Sequence, residues 1–325
     1  MNQVAASADP ALLRGPEHRE GAKEMCLPKT PAYMLSVDVE DWFHILDLDT
    51  APSLSAWASL PSRVEHNLHR ILDLLSDHGT TATMFFLGWI AERYPQLVRA
   101  ARARGHAIAS HGYSHRLVYT MTPKEFAEDA HRARAILQDV SGDPVWGYRA
   151  PGFSVTARTP WFFQCLAEAG HTYDCSIFPA RRPHGGLSTA ERAPHIAFRP
   201  VEGGRPLIEV PMSVAPVLGL RVCFFGGGYM RLAPSWLIQT MARRVFAEGM
   251  PVMFYLHPRD IDPEQPRLPM SPLRRFRCYA NLGTTYAKLE SLLRTFPLVS
   301  VEEYLAPSDS AASRLPETVA LARTG

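Results

Sequence analysis

A parallel α/β sheet with crossover helices is the fold this sequence predicts, and three observations predict it. Short apolar runs, rich in β-branched and aromatic residues, alternate with segments whose apolar residues recur at helical spacing. Helix-like segments stop at glycines such as Gly79 and Gly105. Ionisable residues are scarce inside the strand-like runs and recur where those runs end. Repeated strand–helix units imply either an open doubly wound sheet or a barrel.

The run AYMLSVD (32–38) reads as the first strand. Residues 63–79 then place Val64, Leu68, Ile71, Leu72 and Leu75 on one helical stripe. TATMFFLG (81–88) is a strand, YPQLVRAARARG (94–105) a helix, and HAIASH (106–111) a strand. Thr122, Pro123 and Glu125 open the next helix as N-cap, first helical residue and first-turn acid. The strand VWGYRA (145–150) and the helix TPWFFQCLAEAG (159–170) continue the alternation, followed by YDCSIFP (173–179) and LIEVP (207–211). A helix over 234–249, the apolar strand PVMFYLH (251–257), TTYAKLESLLRTF and LVSVEEYL close it. Two segments interrupt the rhythm. Residues 179–206, rich in Arg, Pro and Gly, read as a long connection, and 214–230 ends in CFFGGGYM. Those glycines permit a sharp turn or a close backbone approach to a ligand. No G-K-[ST] follows, so this is not a phosphate loop.

Composition narrows the function classes. The 325 residues are 46% hydrophobic and 20% charged, enough for one large α/β domain or two smaller ones. A net charge of +2 gives no footprint for nucleic acid or an anionic membrane as principal partner. The Arg-rich stretch 274–277 reads as a solvated loop. Five scattered cysteines with no C-x-x-C pair argue against a disulfide framework or a structural zinc knuckle. No run approaches the ~18–20 apolar residues of a membrane span. With no signal-like apolar core at the N-terminus, the cytoplasm is the expected compartment. Residues 1–31 and 306–325 read as a disordered leader and tail around a domain over 32–305.

The strand ends collect a chemical set: Asp38, His111, Arg149, Asp174 and His257. In an α/β barrel such ends share one face, where catalytic groups gather. In SHGYSH (110–115), His111 and His115 are spaced so that a helical turn or a tight loop brings both imidazoles together. Two histidines and a carboxylate bind a divalent metal and leave positions open. A further carboxylate can act as general base, a separate histidine as general acid, and an arginine can hold the base ionised. That inventory suits metal-assisted hydrolysis of an amide or ester. The G-x-S-x-G elbow of a serine hydrolase and the H-E-x-x-H of a zinc protease are both missing. The remaining histidines, His44 among them, read as structural or solvated. Trp42, Phe153 and Tyr229 are candidates for sugar stacking, with core packing the stronger reading.

These motifs resemble the polysaccharide deacetylases of carbohydrate esterase family 4, the NodB homology domain, over roughly residues 33–305. SVDVED resembles the first family motif, SHGYSH the second, YRAPGF the third, YDCSIFP more loosely the fourth, and FYLHP the fifth. The resemblance implies a distorted (β/α) barrel, NodB-like, with fewer than eight regular strands. By the same resemblance Asp38 is the base, His257 the acid, and Arg149 orients the base. Asp174 orients His257, with Asp260 as the alternative, and Gly152 offers its N–H to the oxyanion. His111, His115 and Glu40 (or Asp41) hold a divalent ion, with Zn²⁺ expected and other divalent ions also fitting. On a strand Glu40 shares the face of Asp38 and Asp41 opposes it, which favours Glu40 unless the strand ends first.

GGGYMRL, HPRDIDPEQPR and YANLGTTYAKLESLL are similar to a branch found beside exosortase and exopolysaccharide genes, and imply a family-specific extension from about residue 214. The implied partner is a polysaccharide or oligosaccharide bearing N-acetyl amino sugars, and the implied activity is removal of those acetyl groups in exopolysaccharide biosynthesis. The alternatives are hydrolysis of a small cyclic or formylated amide, as by an allantoinase or a lipid-linked sugar deformylase, and an inactive barrel that only binds polysaccharide.

Overall fold

Alternation along the first strand organises the molecule. A computed structural model describes residues 25–182, 185–201 and 204–307. Most of the expected leader and tail, 1–24 and 308–325, therefore lies outside the described residues. The strands are β1 (Tyr33–Val39), β2 (Thr83–Phe86), β3 (Ala107–Ser110), β4 (Gly147–Tyr148), β5 (Tyr173–Asp174) and β6 (His195–Phe198). They continue with β7 (Leu207–Glu209), β8 (Ala215–Val217), β9 (Leu220–Val222), β10 (Val252–Leu256) and β11 (Leu298–Val299). The helices are α1 (Val64–Asp77), α2 (Gly88–Arg93), α3 (Pro95–Ala103), α4 (Pro123–Ser141) and α5 (Phe162–Glu168). After them come α6 (Gly227–Leu232), α7 (Ser235–Ala247), α8 (Pro272–Tyr279), α9 (Leu282–Thr295) and α10 (Val301–Leu305).

The main sheet runs β10-β1-β2-β3-β4-β5-β7-β6, with β11 also pairing β1. Every pairing is parallel except β6 with β7. The sheet curls into a half-barrel surrounded by helices, the distorted barrel the resemblance implied. Its two edges are β10 and β6, and irregular chain after β7 and β9 bridges to the β10 edge, forming the seam. Ser213 Oγ donates to Pro251 O and accepts from Met253 N–H, at 3.0 and 2.8 Å. On the same strand, Tyr255 N–H donates to Phe225 O.

Leu35, Val37 and Val39 pack outward with Leu68, Ile71, Leu72 and Leu75 of α1. Met34 packs inward with Phe85, Met253 and Tyr255. Successive strand residues point to opposite faces, so Ser36 and Asp38 share the inner face with Met34. The expected strands and helices are present with ends shifted by a few residues. The capping box at Thr122 is made, its Oγ1 accepting from Glu125 N–H.

Several expectations are corrected. Arg274–Arg277 sit on α8 rather than in a loop, and Gly88, placed at the end of the expected strand 81–88, instead begins the helix α2. The connection 179–206 contains β6, and 214–230 holds the β8–β9 hairpin and the start of α6. Gly226 makes a close approach to Tyr255, where a Cβ would lie 1.9 Å from the ring, and Gly227 and Gly228 line the cleft that Tyr255 also lines. All five cysteines are free thiols, as expected. No helix of the described residues is long and apolar enough to cross a membrane.

Candidate metal and catalytic centre

The inner face of β1 carries the site's acids. Asp38 and Glu40 are 2% and 3% exposed, and both line a cleft of about 180 Å³ with His115, Gly152, Tyr255 and His257. Asp41 turns away. Its carboxylate accepts from the N–H groups of Trp42, Arg63 and Val64 and from Ser62 Oγ, capping the start of α1. Strand alternation thus carries through Glu40 even though β1 ends at Val39.

His111 follows β3 directly, and the loop after it folds back. Gly112 adopts φ +72° and His115 φ +52°. Asp129 of α4 pins the turn by accepting from Tyr113 N–H at 2.7 Å and Ser114 N–H at 3.1 Å. A Cβ on Gly112 would meet that carboxylate at 2.9 Å, so glycine is required there. Both Nε2 atoms converge on Glu40 Oε1, His111 at 3.2 Å and His115 at 2.9 Å. His111 Nδ1 is 2.8 Å from the Arg149 carbonyl, which can only accept, so Nδ1 carries a proton and Nε2 is the nitrogen turned toward Glu40 and available to an ion.

Glu40 Oε2 is buried with no hydrogen-bond partner. Ligand atoms of Glu40, His111 and His115 lie within 4.8 Å of one another. Two imidazoles, a carboxylate and an unsatisfied oxygen fit a divalent ion. Burial pushes the Glu40 carboxyl up, but His115, His257 and the two imidazole hydrogen bonds outweigh it and hold the group well below its usual range. Burial also depresses His115, and Glu40 only partly offsets it.

Arg149 follows β4 and is fully buried. Its Nη1 donates to Asp38 Oδ1 at 2.6 Å and Ser36 Oγ at 2.9 Å, and its Nε to Cys175 O at 3.3 Å. The guanidinium lies 4.1 Å from the Phe85 ring centroid. Across the cleft, His257 Nε2 is 3.9 Å from Asp38 Oδ2. His257 Nδ1 is 2.7 Å from Asp260 Oδ2, and Asp260 Oδ1 pairs with Arg231 Nε at 3.1 Å. Burial alone would depress His257, yet the charges of Glu40 and Asp260 and the Asp260 hydrogen bond raise it above its ordinary value.

Asp174 does not reach His257, which corrects the expectation that it orients that ring. Its carboxylate accepts from Ser176 Oγ at 2.6 Å and Ser176 N–H at 3.2 Å. Ser176 Oγ in turn accepts from Ala150 N–H, so Asp174 braces the strand end bearing Arg149. Burial lifts Asp174 to about 6 and raises neighbouring Glu209 further from its ordinary value, through burial and then through Asp174. Asp260 takes the orienting place because it lies three residues along the short 3-10 turn after His257.

Gly152 lines the cleft at φ +64°, a left-handed backbone that glycine takes without strain. Phe153 and the 39%-exposed Tyr229 line it too, whereas Trp42 is buried with its Nε1 on Pro61 O. Sequence reasoning missed Arg259, whose Nε is 3.8 Å from Glu40 Oε2, and Arg182 and Arg274 on the cleft wall. The only signal for Arg259 was its place two residues after His257. His44, read as structural, also lines the cleft; its Nδ1 accepts from Asp41 N–H at 3.0 Å.

One pair of substitutions separates the two acids of the first motif. Asp41→Ala is expected to keep the metal and lower unfolding stability by about 0.5–2 kcal/mol, the usual cost of a lost cap. Glu40→Gln is expected to lose the metal with the fold intact. Metal content after dialysis and a denaturation curve on each variant check both, and the reverse pattern would exchange the roles.

An α/β half-barrel with imidazoles and carboxylates gathered at the C-terminal ends of its parallel strands is a protein whose chemistry belongs at that rim. Residues 49–173 match the family model described as polysaccharide deacetylase, and residues 175–306 a domain of unknown function, DUF3473. Residues 49–173 thus carry a polysaccharide deacetylase domain, that of carbohydrate esterase family 4. It is 34% identical over 73 residues to a peptidoglycan-N-acetylglucosamine deacetylase of Bacillus cereus, covering 22% of this chain and 26% of that protein. It is 27% identical over 113 residues to a Helicobacter pylori peptidoglycan deacetylase, covering 35% and 38%. The chain thus spans about a quarter to two fifths of these two relatives. A Mycobacterium smegmatis crystal structure assigned to the polysaccharide deacetylases shares the fold at TM-score 0.55 and 20% identity, over 90% of this chain and 94% of that one. Strands of the two matched regions share one sheet with β1, which precedes both. β10, from the second, pairs with β1 and delivers His257 to Asp38 and Glu40.

Proposed function

We propose that this protein is a metal-dependent hydrolase that removes N-acetyl groups from N-acetylhexosamine units of a polysaccharide, in the service of exopolysaccharide biosynthesis. One observation carries the reading: the Glu40–His111–His115 cluster, the Asp38–Arg149 pair and the His257–Asp260 pair meet in a single cleft. Glu40, His111 and His115 would hold the ion, Zn²⁺ by preference. What the ion supplies when bound is Lewis acidity toward the acyl oxygen and a water of lowered pKa.

The residues of the chain do the rest. Asp38, fixed through Oδ1 by Arg149, keeps Oδ2 available to take the proton of the attacking water. The new C–O bond places negative charge on the acyl oxygen, toward which Gly152 N–H is offered. His257, held by Asp260 and raised in pKa, gives its proton to the nitrogen as the C–N bond breaks. Acetate and a free amino sugar leave. The test is acetate release from N-acetylated oligosaccharides. Chelation is expected to abolish it and added Zn²⁺ to restore it. Full activity after chelation, or faster turnover of allantoin or a formylated amide, would overturn the reading.

A further inference from the structure

Three cleft arginines have no part in the chemistry above. Arg182, Arg259 and Arg274 line the cleft, where the lining acids among the described residues are Asp38 and Glu40. Both acids are already engaged, Asp38 by Arg149 and Glu40 by the two imidazoles. The cleft therefore carries surplus positive charge, and a divalent ion adds to it. Arg259 faces Glu40. Among the described residues, neither Arg182 nor Arg274 forms an ion pair with Asp38 or Glu40.

Arg182 is held in place by aromatic rings: its guanidinium lies 5.0 Å from the Phe153 centroid and 4.4 Å from that of Phe178. Yet its Nε and Nη1 are buried with no acceptor. Arg274 donates one Nη2 hydrogen to the Leu46 carbonyl, and its Nε is buried with no acceptor. Buried polar groups in native proteins are almost always satisfied, and charged donors are the costliest to leave bare. A guanidinium edge matches a carboxylate or phosphate, to which it donates in parallel. A neutral glycan would not supply that partner.

We propose that this cleft selects an anionic substrate, an amino sugar whose acetamide lies beside a carboxylate or phosphate, and that Arg182 and Arg274 bind the anion. The proposal rests on the deacetylation reading for the acetamide, while the anion site stands on the arginines alone.

Calorimetry on the full chain after chelator treatment tests it, because an anion then has no metal to bind. The probes are N-acetylglucosamine 1-phosphate, a disaccharide of N-acetylglucosamine and glucuronic acid, and neutral diacetylchitobiose. At least one anionic probe is expected to bind about tenfold or more tightly than the neutral one, with an advantage that shrinks as salt rises. Whether the phosphate or the uronate gains identifies the source of the charge. Arg182→Met and Arg274→Met should each remove most of that advantage. Arg182→Lys, which keeps the charge without the fork, should remove part of it. Arg275→Met, exposed on α8 and away from the cleft, should leave it intact. Equal binding of the three probes, or an advantage that survives both methionine variants, overturns the proposal. Acetate release by the Zn²⁺-loaded protein on the same probes separates the two readings. Preferential anion binding without acetate release defeats the deacetylase reading alone, and acetate release without binding preference defeats the anion site alone.

Discussion

Asp38→Asn is expected to keep its metal and lose roughly 10²–10⁴-fold of acetate release, the usual contribution of a positioned general base. Asparagine preserves the shape and can still accept from Arg149, but its amide cannot take a proton from water. The proposed ion-holding residues are Glu40, His111 and His115, none of which loses a hydrogen bond to Asp38. Metal content should therefore stay stoichiometric while turnover collapses. Retained turnover would move the base elsewhere, with His257, 3.9 Å from Asp38, the nearest other group to examine.

Arg149→Met should produce the largest loss of stability, on the order of 3–5 kcal/mol, because removing one partner strands a buried charge. Asp38 would keep only 2% exposure and lose the guanidinium at 2.6 Å. Methionine leaves the Phe85 face occupied but returns none of the hydrogen bonds to Ser36, Asp38 and Cys175. Adding Asp38→Asn to Arg149→Met should recover part of the loss, since the stranded charge goes with it. Denaturant midpoints of wild type, both single variants and the double variant close the cycle. A double variant no more stable than Arg149→Met alone would mean that packing around Phe85, not charge pairing, sets the cost.

Much of the site was legible in the sequence because β-strand alternation and chain order constrain it strongly. Asp38 and Glu40 are two apart on an extended run, so one inward face carries both. His111, Arg149 and His257 each follow an apolar run directly, and parallel strands bring their C-terminal ends to one rim. Asp174 misled because its position matched a strand end, whereas the partner of His257 was decided by a turn. His257 to Asp260 is three residues, a reach that a 3-10 turn closes and a strand does not.

By itself the sequence determined the alternation of strands and helices, the inner face of β1, and the residue types delivered to the rim. These depend on local periodicity, which any chain with this pattern must obey. The tertiary structure alone decided how the sheet curls, that Ser213 and Phe225 bridge its seam, and that Asp41 caps α1 instead of facing the cleft. It alone also set Arg182 and Arg274 in the cleft wall, from segments that looked like a polar connection and a solvated loop. Contacts between residues tens to hundreds apart depend on how elements pack, and no local pattern encodes that distance.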